Sequence, residues 1–196
     1  MDKFSNYSKQ VKKEEKEDLN KPYEGEVINI VKYKNWDLIE EKDRAIVLPI
    51  LKDEGFVLLR SEYIPTFQYK YKDNSELRGV TNFLTCISGG IEENETPEQT
   101  IRRELYEEAG VILSNVKQID IENSLHIDKG NLSKYHICIL ELNAGDYKTV
   151  KAPTDGSKEE KLSRTIKVSI GELDNIKTWD LITEYVLTKM KLEYGY

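Results

Sequence analysis

Residues 89–111 read GGIEENETPEQTIRRELYEEAGV, and this stretch decides how the rest of the chain is read. Thr96-Pro97-Glu98-Gln99 is a helix start. Thr96 can cap the free N–H groups, Pro97 suits the first helical position, and Gln99 completes a capping box. Ala109-Gly110 is the stop, because Gly110 can take the left-handed conformation that ends a helix. Ile101 and Leu105, four residues apart, give the helix a buried stripe. Glu104, Glu107 and Glu108 fall at i, i+3 and i+4, so their side chains share one surface.

Such crowding is unfavourable for folding alone. Like charges at these spacings cost about a few tenths of a kcal/mol per pair. The three also lie toward the helix C-terminus, where the helix dipole disfavours anions. No lysine or arginine stands four residues beyond any of them. Arg103, four residues before Glu107, is the best-placed cation, and one guanidinium pins one carboxylate better than it neutralises three. A cluster of oxygens without histidine suits a hard divalent ion, Mg²⁺ or Mn²⁺, that also binds substrate phosphates. An isolated E-x-x-E-E would be read as a solvated acidic face. Here Gly89, Glu95, Arg103, Glu104, Leu105, Glu107, Glu108, Gly110 and Val111 are fixed together, and metal chemistry is the stronger reading.

Outward from the helix, the 196 residues suit one domain with room for a small appendage. Hydrophobic residues make up 38%, enough for a sizeable core without staples. Cys86 and Cys138 each sit in an apolar strand-like run, where a reduced core thiol is expected. No apolar leader and no run of the ~18 residues needed to span a membrane is present, so a cytoplasmic location is expected. A net charge of -7 argues against broad capture of nucleic acid and leaves room for a small phosphorylated ligand.

Residues 1–22 carry dense mixed charge and read as a surface helix or arm ending at Asn20-Lys21-Pro22. Residues 23–42 read as an N-terminal strand region, with Val27 to Tyr33 and Trp36 to Glu40 flanking a turn at Lys34-Asn35. Residues 43–196 form the main domain. Arg44 to Leu51 and Phe56 to Leu59 are strands around a turn at Lys52 to Gly55. Gln68 to Glu76 is a loop insertion, and Val80 to Ile87 is the strand that delivers the chain to Ser88-Gly89-Gly90. Further strands are expected at Val116 to Ile121, Tyr135 to Leu142 and Lys161 to Val168. Thr178 to Glu193 reads as a closing helix with a stripe of Leu181, Ile182, Tyr185, Val186 and Met190. Strands before, between and after two helices predict an α/β/α sandwich with a mixed sheet.

The segment 89–111 resembles the Nudix box, G-x5-E-x7-R-E-U-x-E-E-x-G-U with U a bulky aliphatic residue, and fills every slot of it. The surrounding strand order is similar to the Nudix α/β/α sandwich. Members of that family hydrolyse a nucleoside diphosphate linked to another moiety. The resemblance implies that Glu104, Glu107 and Glu108 face the metal, with Glu104 and Glu108 as its surest ligands, and that the Ser88 carbonyl is a candidate further ligand. Arg103 would orient a carboxylate, and Glu95 would support the loop or an outer shell of the metal. A general base would come from a loop after the box, where Glu160 is favoured and Glu159 follows; an ordinary charged surface loop is an equal reading for either.

The branch most similar to this chain is that of ADP-ribose pyrophosphatases. The box lies mid-chain, after a strand region of the kind that branch uses to form dimers, which makes a homodimer a candidate assembly. Phe56 to Arg60 followed by Glu62 to Pro65 resembles its strand and the Arg- and Tyr-containing stretch beyond, and Ile176-Lys177-Thr178 is similar to its tail. Arg60 would then contact phosphate, while Phe67, Tyr69 and Tyr71 are candidates to stack on a base. Individually, loop packing is the commoner role for such aromatics. Thr85-Cys86-Ile87-Ser88-Gly89 stands where the branch has E-x-P-x-G, and Ser124-Leu125-His126-Ile127 stands where it often has a proline. Dinucleoside polyphosphates, nucleoside triphosphates and RNA caps therefore stay open as substrates beside nucleotide sugars. A sensing module that binds without turnover is the remaining reading. His126 and His136 are read as structural.

Overall fold

A computed structural model describes residues 20–24, 28–63, 82–153, 162–176 and 178–196, the first of these by backbone alone. The segments read as the charged arm before residue 20, the aromatic insertion with Phe67, Tyr69 and Tyr71, and the loop with Glu159 and Glu160 lie outside the described residues.

Two compact units are present, residues 1–43 with 125–135 and residues 44–124 with 136–196. In the first, β1 (Asn20–Glu24), β2 (Asn29–Tyr33) and β3 (Trp36–Glu40) form an antiparallel sheet. The expected turn at Lys34-Asn35 joins β2 to β3, and β1 begins at Asn20, within the run expected to end the arm. Glu41 closes this unit by accepting from Tyr135 Oη at 2.8 Å and Asn131 Nδ2 at 2.9 Å.

The second unit is built on β4 (Arg44–Leu51), β5 (Phe56–Tyr63), β6 (Asn82–Thr85), β7 (Ile87–Gly90), β9 (Asn123–Leu125), β10 (Tyr135–Leu142) and β12 (Arg164–Ser169). Among the described residues the sheet runs β12-β5-β4-β10-β9, with β6 on β5 and β7 on β4. β8 (Val111–Leu113) and β11 (Tyr147–Thr149) pair separately. α1 (Pro97–Ala109) and α2 (Leu181–Tyr194) complete the expected α/β fold.

β4 is buried on both sides. Ala45, Val47 and Leu51 join Leu58, Ile87, Cys138 and Leu140 in the core under Ile101 and Leu105 of α1. Ile46, Leu48 and Ile50 alternate onto the opposite face and are also buried. α2 is tied to the sheet where β6 breaks into β7: Thr183 Oγ1 accepts the Cys86 N–H at 2.8 Å. Both cysteines are free and buried, and burial pushes each thiol up to about 12.

Three expectations are corrected. Val116 to Ile121 is not a strand; Ile119 is buried and Val116 and Ile121 pack on the α1 core as irregular chain, with β8 and β9 on either side. Apolar alternation there reflects burial without a neighbour to pair with. The expected Val80 to Ile87 strand divides around Cys86, because the N–H of Cys86 is spent on Thr183 rather than on a ladder. The last helix starts at Leu181, since Asp180 caps it through the Thr183 N–H at 2.8 Å. Its buried stripe is Thr183, Val186, Leu187 and Met190, while Leu181 and Tyr185 are exposed. A threonine at a capped first turn can go inside because its hydroxyl is doubly hydrogen-bonded. Among the described residues no helix is long and apolar enough to cross a membrane.

Candidate active site

α1 begins and ends as its residues dictate. Thr96 accepts the Gln99 N–H at 3.3 Å, and the Gln99 side chain accepts the Thr96 N–H at 2.8 Å. Gly110 caps the other end at φ 63°, and a Cβ there would fall 2.1 Å from the Val150 carbonyl oxygen, so no other residue fits.

Arg103 organises the acidic face. Its Nε and Nη2 grip the two oxygens of Glu95 at 2.9 and 3.1 Å. Nη1 donates to Glu104 at 2.5 Å and to Glu107 at 3.0 Å, and Nη2 also reaches the Gly90 carbonyl at 3.0 Å. All five N–H groups of the guanidinium thus have acceptors. Glu95 in turn accepts from the Glu92 N–H and the Thr100 hydroxyl, so it braces the loop that leads into α1. Hydrogen bonding from Arg103 holds its carboxyl down at about 2. The same partners raise the Arg103 guanidinium further, so it is charged at any working pH.

Glu104 and Glu108 turn inward. Glu104 is only 8% exposed, and it lies directly over Gly89: a Cβ at that glycine would sit 1.7 Å from Glu104 Oε1. The glycine is therefore required by the carboxylate rather than by its own backbone angles. Glu108, with a side chain 17% exposed, has Oε1 at 3.2 Å from Arg60 Nε. Its Oε2 is buried and has no hydrogen-bond partner. Burial pushes Glu108 up to about 8, against the pull of Arg60 and with added repulsion from Glu104 and Glu62. Burial also raises Glu104, opposed by Arg103. Glu107 is more exposed than either and leans on Arg103.

The sheet supplies the opposing wall. Ser88, in β7, presents backbone beside Glu108, and its hydroxyl accepts from Arg44 Nη2 at 3.4 Å. Thr165 of β12 donates to the Glu108 carbonyl at 2.7 Å and fixes the last turn of α1 against the sheet. A cleft of about 220 Å³ opens here, lined by Arg60, Glu107, Glu108, Pro153, Ser163 and Thr165 among others.

Most sequence-predicted residues of the described chain therefore meet. Arg103, Glu104, Glu107, Glu108, Ser88 and Arg60 all border one region, whereas His126 is exposed and His136 is occupied by the Ser124 hydroxyl at 2.8 Å. Sequence reasoning missed Glu62, Thr165 and Arg44. Glu62 carries a legible signal: it is two residues beyond Arg60 on the same strand and so shares its face. Thr165 and Arg44 depend on long-range pairing that no local pattern reveals.

The arrangement fits a hard divalent ion. The donors are all oxygen, Gly89 leaves a cradle that any side chain would fill, and Glu108 Oε2 is a buried acceptor with nothing to accept from. Among the described residues no three His, Cys, Asp or Glu side chains already stand as a ligating group, and Arg103 is paired with Glu104 and Glu107.

Fold and cleft together are those of an α/β sandwich with a carboxylate-lined cleft at the end of α1. The NUDIX domain model matches residues 41–181, and the chain belongs to the Nudix family. Its fold is similar to that in a crystal structure of an ADP compounds hydrolase, with a TM-score of 0.64, 12% identity, and coverage of 91% of this chain and 92% of the other. No curated protein matches the chain.

Proposed function

We propose that the protein hydrolyses the pyrophosphate bond of a nucleoside diphosphate joined to another group, ADP-ribose or a nucleotide sugar, releasing a nucleoside monophosphate and a sugar phosphate. The observation that carries this is the inward pair Glu104 and Glu108 over the Gly89 cradle, with Glu108 Oε2 unspent. Glu104, Glu108 and the Ser88 carbonyl would hold Mg²⁺ or Mn²⁺, with Glu107 completing the set. Such an ion, when bound, neutralises the bridging phosphates and lowers the pKa of attacking water.

The chain's own residues do the rest. Arg103 keeps Glu104 and Glu107 aimed, and Glu95 keeps Arg103 in place. Glu108, held by Arg60 through Oε1, offers its unspent Oε2 to the cation. Glu160, or Glu159 after it, is the proposed general base, and Phe67 and Tyr69 are proposed stacking partners for the base of the nucleotide. Arg60, on the cleft wall, is the proposed contact to phosphate. The N-terminal strands, with Trp36 and Ile39 exposed on them and Ile28 exposed just before β2, are the proposed dimer surface.

An ADP-linked substrate agrees with the similar fold of an ADP compounds hydrolase. A panel of ADP-ribose, nucleotide sugars, dinucleoside polyphosphates, nucleoside triphosphates and capped RNA, each with Mg²⁺, tests the reading. AMP plus ribose 5-phosphate from ADP-ribose is the expected product pair. Release of inorganic phosphate or pyrophosphate from triphosphates as the main activity would overturn it.

A further inference from the structure

Arg60 and Glu108 make an unusual pair. Both side chains are largely buried, at 10% and 17% exposure, yet the approach at 3.2 Å leaves Arg60 Nε without a proper hydrogen bond and Glu108 Oε2 without any. A buried ion pair stabilises a fold only when its remaining donors and acceptors are satisfied; otherwise desolvation exceeds the attraction. This pair is therefore a poor device for folding, in contrast to Arg103, whose donors are all used. Val57, Leu58 and Leu59, the strand neighbours of Arg60, are buried, so the strand is held in the sheet by apolar packing rather than by this pair.

We propose that Arg60 is a stand-in cation: it holds Glu108 aimed into the site until a divalent ion takes the carboxylate, and it is then released to the cleft it lines. The inference rests on the reading of Glu104 and Glu108 as a metal site. Until the ion arrives, Arg60 is a positioning residue that acts through Glu108. Its guanidinium and the incoming ion compete for one carboxylate, and like charges in a low-dielectric wall repel strongly. Capture of the ion therefore costs the loss of the Arg60 contact, and the freed donors face the cleft where an anionic substrate would lie. Occupation by metal and readiness for phosphate become a single event.

The test measures Mn²⁺ binding to the nucleotide-free protein by calorimetry at one fixed, near-neutral pH for all variants. Arg60→Met removes the competing charge and keeps the apolar stem. It should bind Mn²⁺ about fivefold or more tightly than wild type, within the usual range for coupled sites. Arg60→Lys keeps the charge and should remain near wild type. Equal or weaker binding in a folded Arg60→Met, or equal tightening in both variants, overturns the proposal. Should Arg60→Met not fold, the wild-type protein decides. The Arg60 Nε–H resonance, assigned by its loss in Arg60→Lys, should shift and saturate with Mg²⁺; a resonance unmoved at saturating Mg²⁺ overturns the idea. Metal uptake by wild type without these effects sinks only this inference, whereas no uptake at all sinks the metal-site reading with it.

Discussion

Glu108→Gln separates what the site does for chemistry from what it costs the fold. Glutamine is the neutral isostere of the protonated acid, and the Glu108 value of about 8 already includes the pull of Arg60. A carboxyl whose folded pKa is raised favours the fold fully below its unfolded value, and that contribution is lost as pH rises through the folded one. Metal-free wild type should thus lose stability between about pH 4.5 and pH 8. Full ionisation corresponds to at most about 4–5 kcal/mol, and at pH 7 to about 3 kcal/mol. For a chain of this size that is a rise in Tm of about 5–10 °C for the variant in EDTA at pH 7. Near pH 4.5 the two proteins should melt together. With Mg²⁺ present, wild type should recover and the variant should not, while turnover falls by at least about 100-fold in the variant. Thermal unfolding followed by circular dichroism from pH 4.5 to 9, with and without Mg²⁺, checks all of this. A variant less stable than metal-free wild type at pH 8, or unchanged turnover, would refute the reasoning.

Gly89→Ala should force Glu104 out of its cradle, cost about 1–3 kcal/mol in urea unfolding, and weaken Mn²⁺ binding measured by calorimetry. Arg103→Lys removes the planar fork that serves Glu95, Glu104 and Glu107 together. A drop in kcat of about tenfold to 100-fold is expected, with a small change in Tm, as seen by steady-state assay and melting. For the general base, Glu160→Gln should lower kcat by about 10²–10⁴-fold and leave Mg²⁺ affinity unchanged, whereas Glu159→Gln should have little effect. The reverse order in single-turnover rates would reassign the base to Glu159.

The helix at the centre of the site was legible to the residue, because its caps are local. Thr96, Gln99 and Gly110 interact within four residues of themselves, so the chain spells both ends without help from the fold. The inward turn of Glu104 and Glu108 was legible as spacing only. Which of the three carboxylates is buried depends on Gly89 and Ser88 arriving from β7, some fifteen residues earlier. Val116 to Ile121 shows the opposite failure. Its apolar residues are inside, as read, but backbone pairing needs a neighbouring strand, and none of the periodicity carries that information. The last helix illustrates a third case: Leu181 and Tyr185 looked like stripe residues by hydrophobicity, yet the hydroxyl of Thr183 takes the inward place because Cys86 needs an acceptor. Arg60 was legible only as a candidate phosphate contact, by resemblance; its attachment to Glu108 joins positions far apart in the chain and was not legible.

The two shielded thiols offer a practical handle. With Cys86 and Cys138 enclosed and hard to ionise, maleimide chemistry at neutral pH should leave the native protein unlabelled. A single cysteine engineered on the cleft rim could then carry a fluorophore or spin label without first stripping the background, so that catalytic-site occupancy can be followed in real time on otherwise unaltered protein.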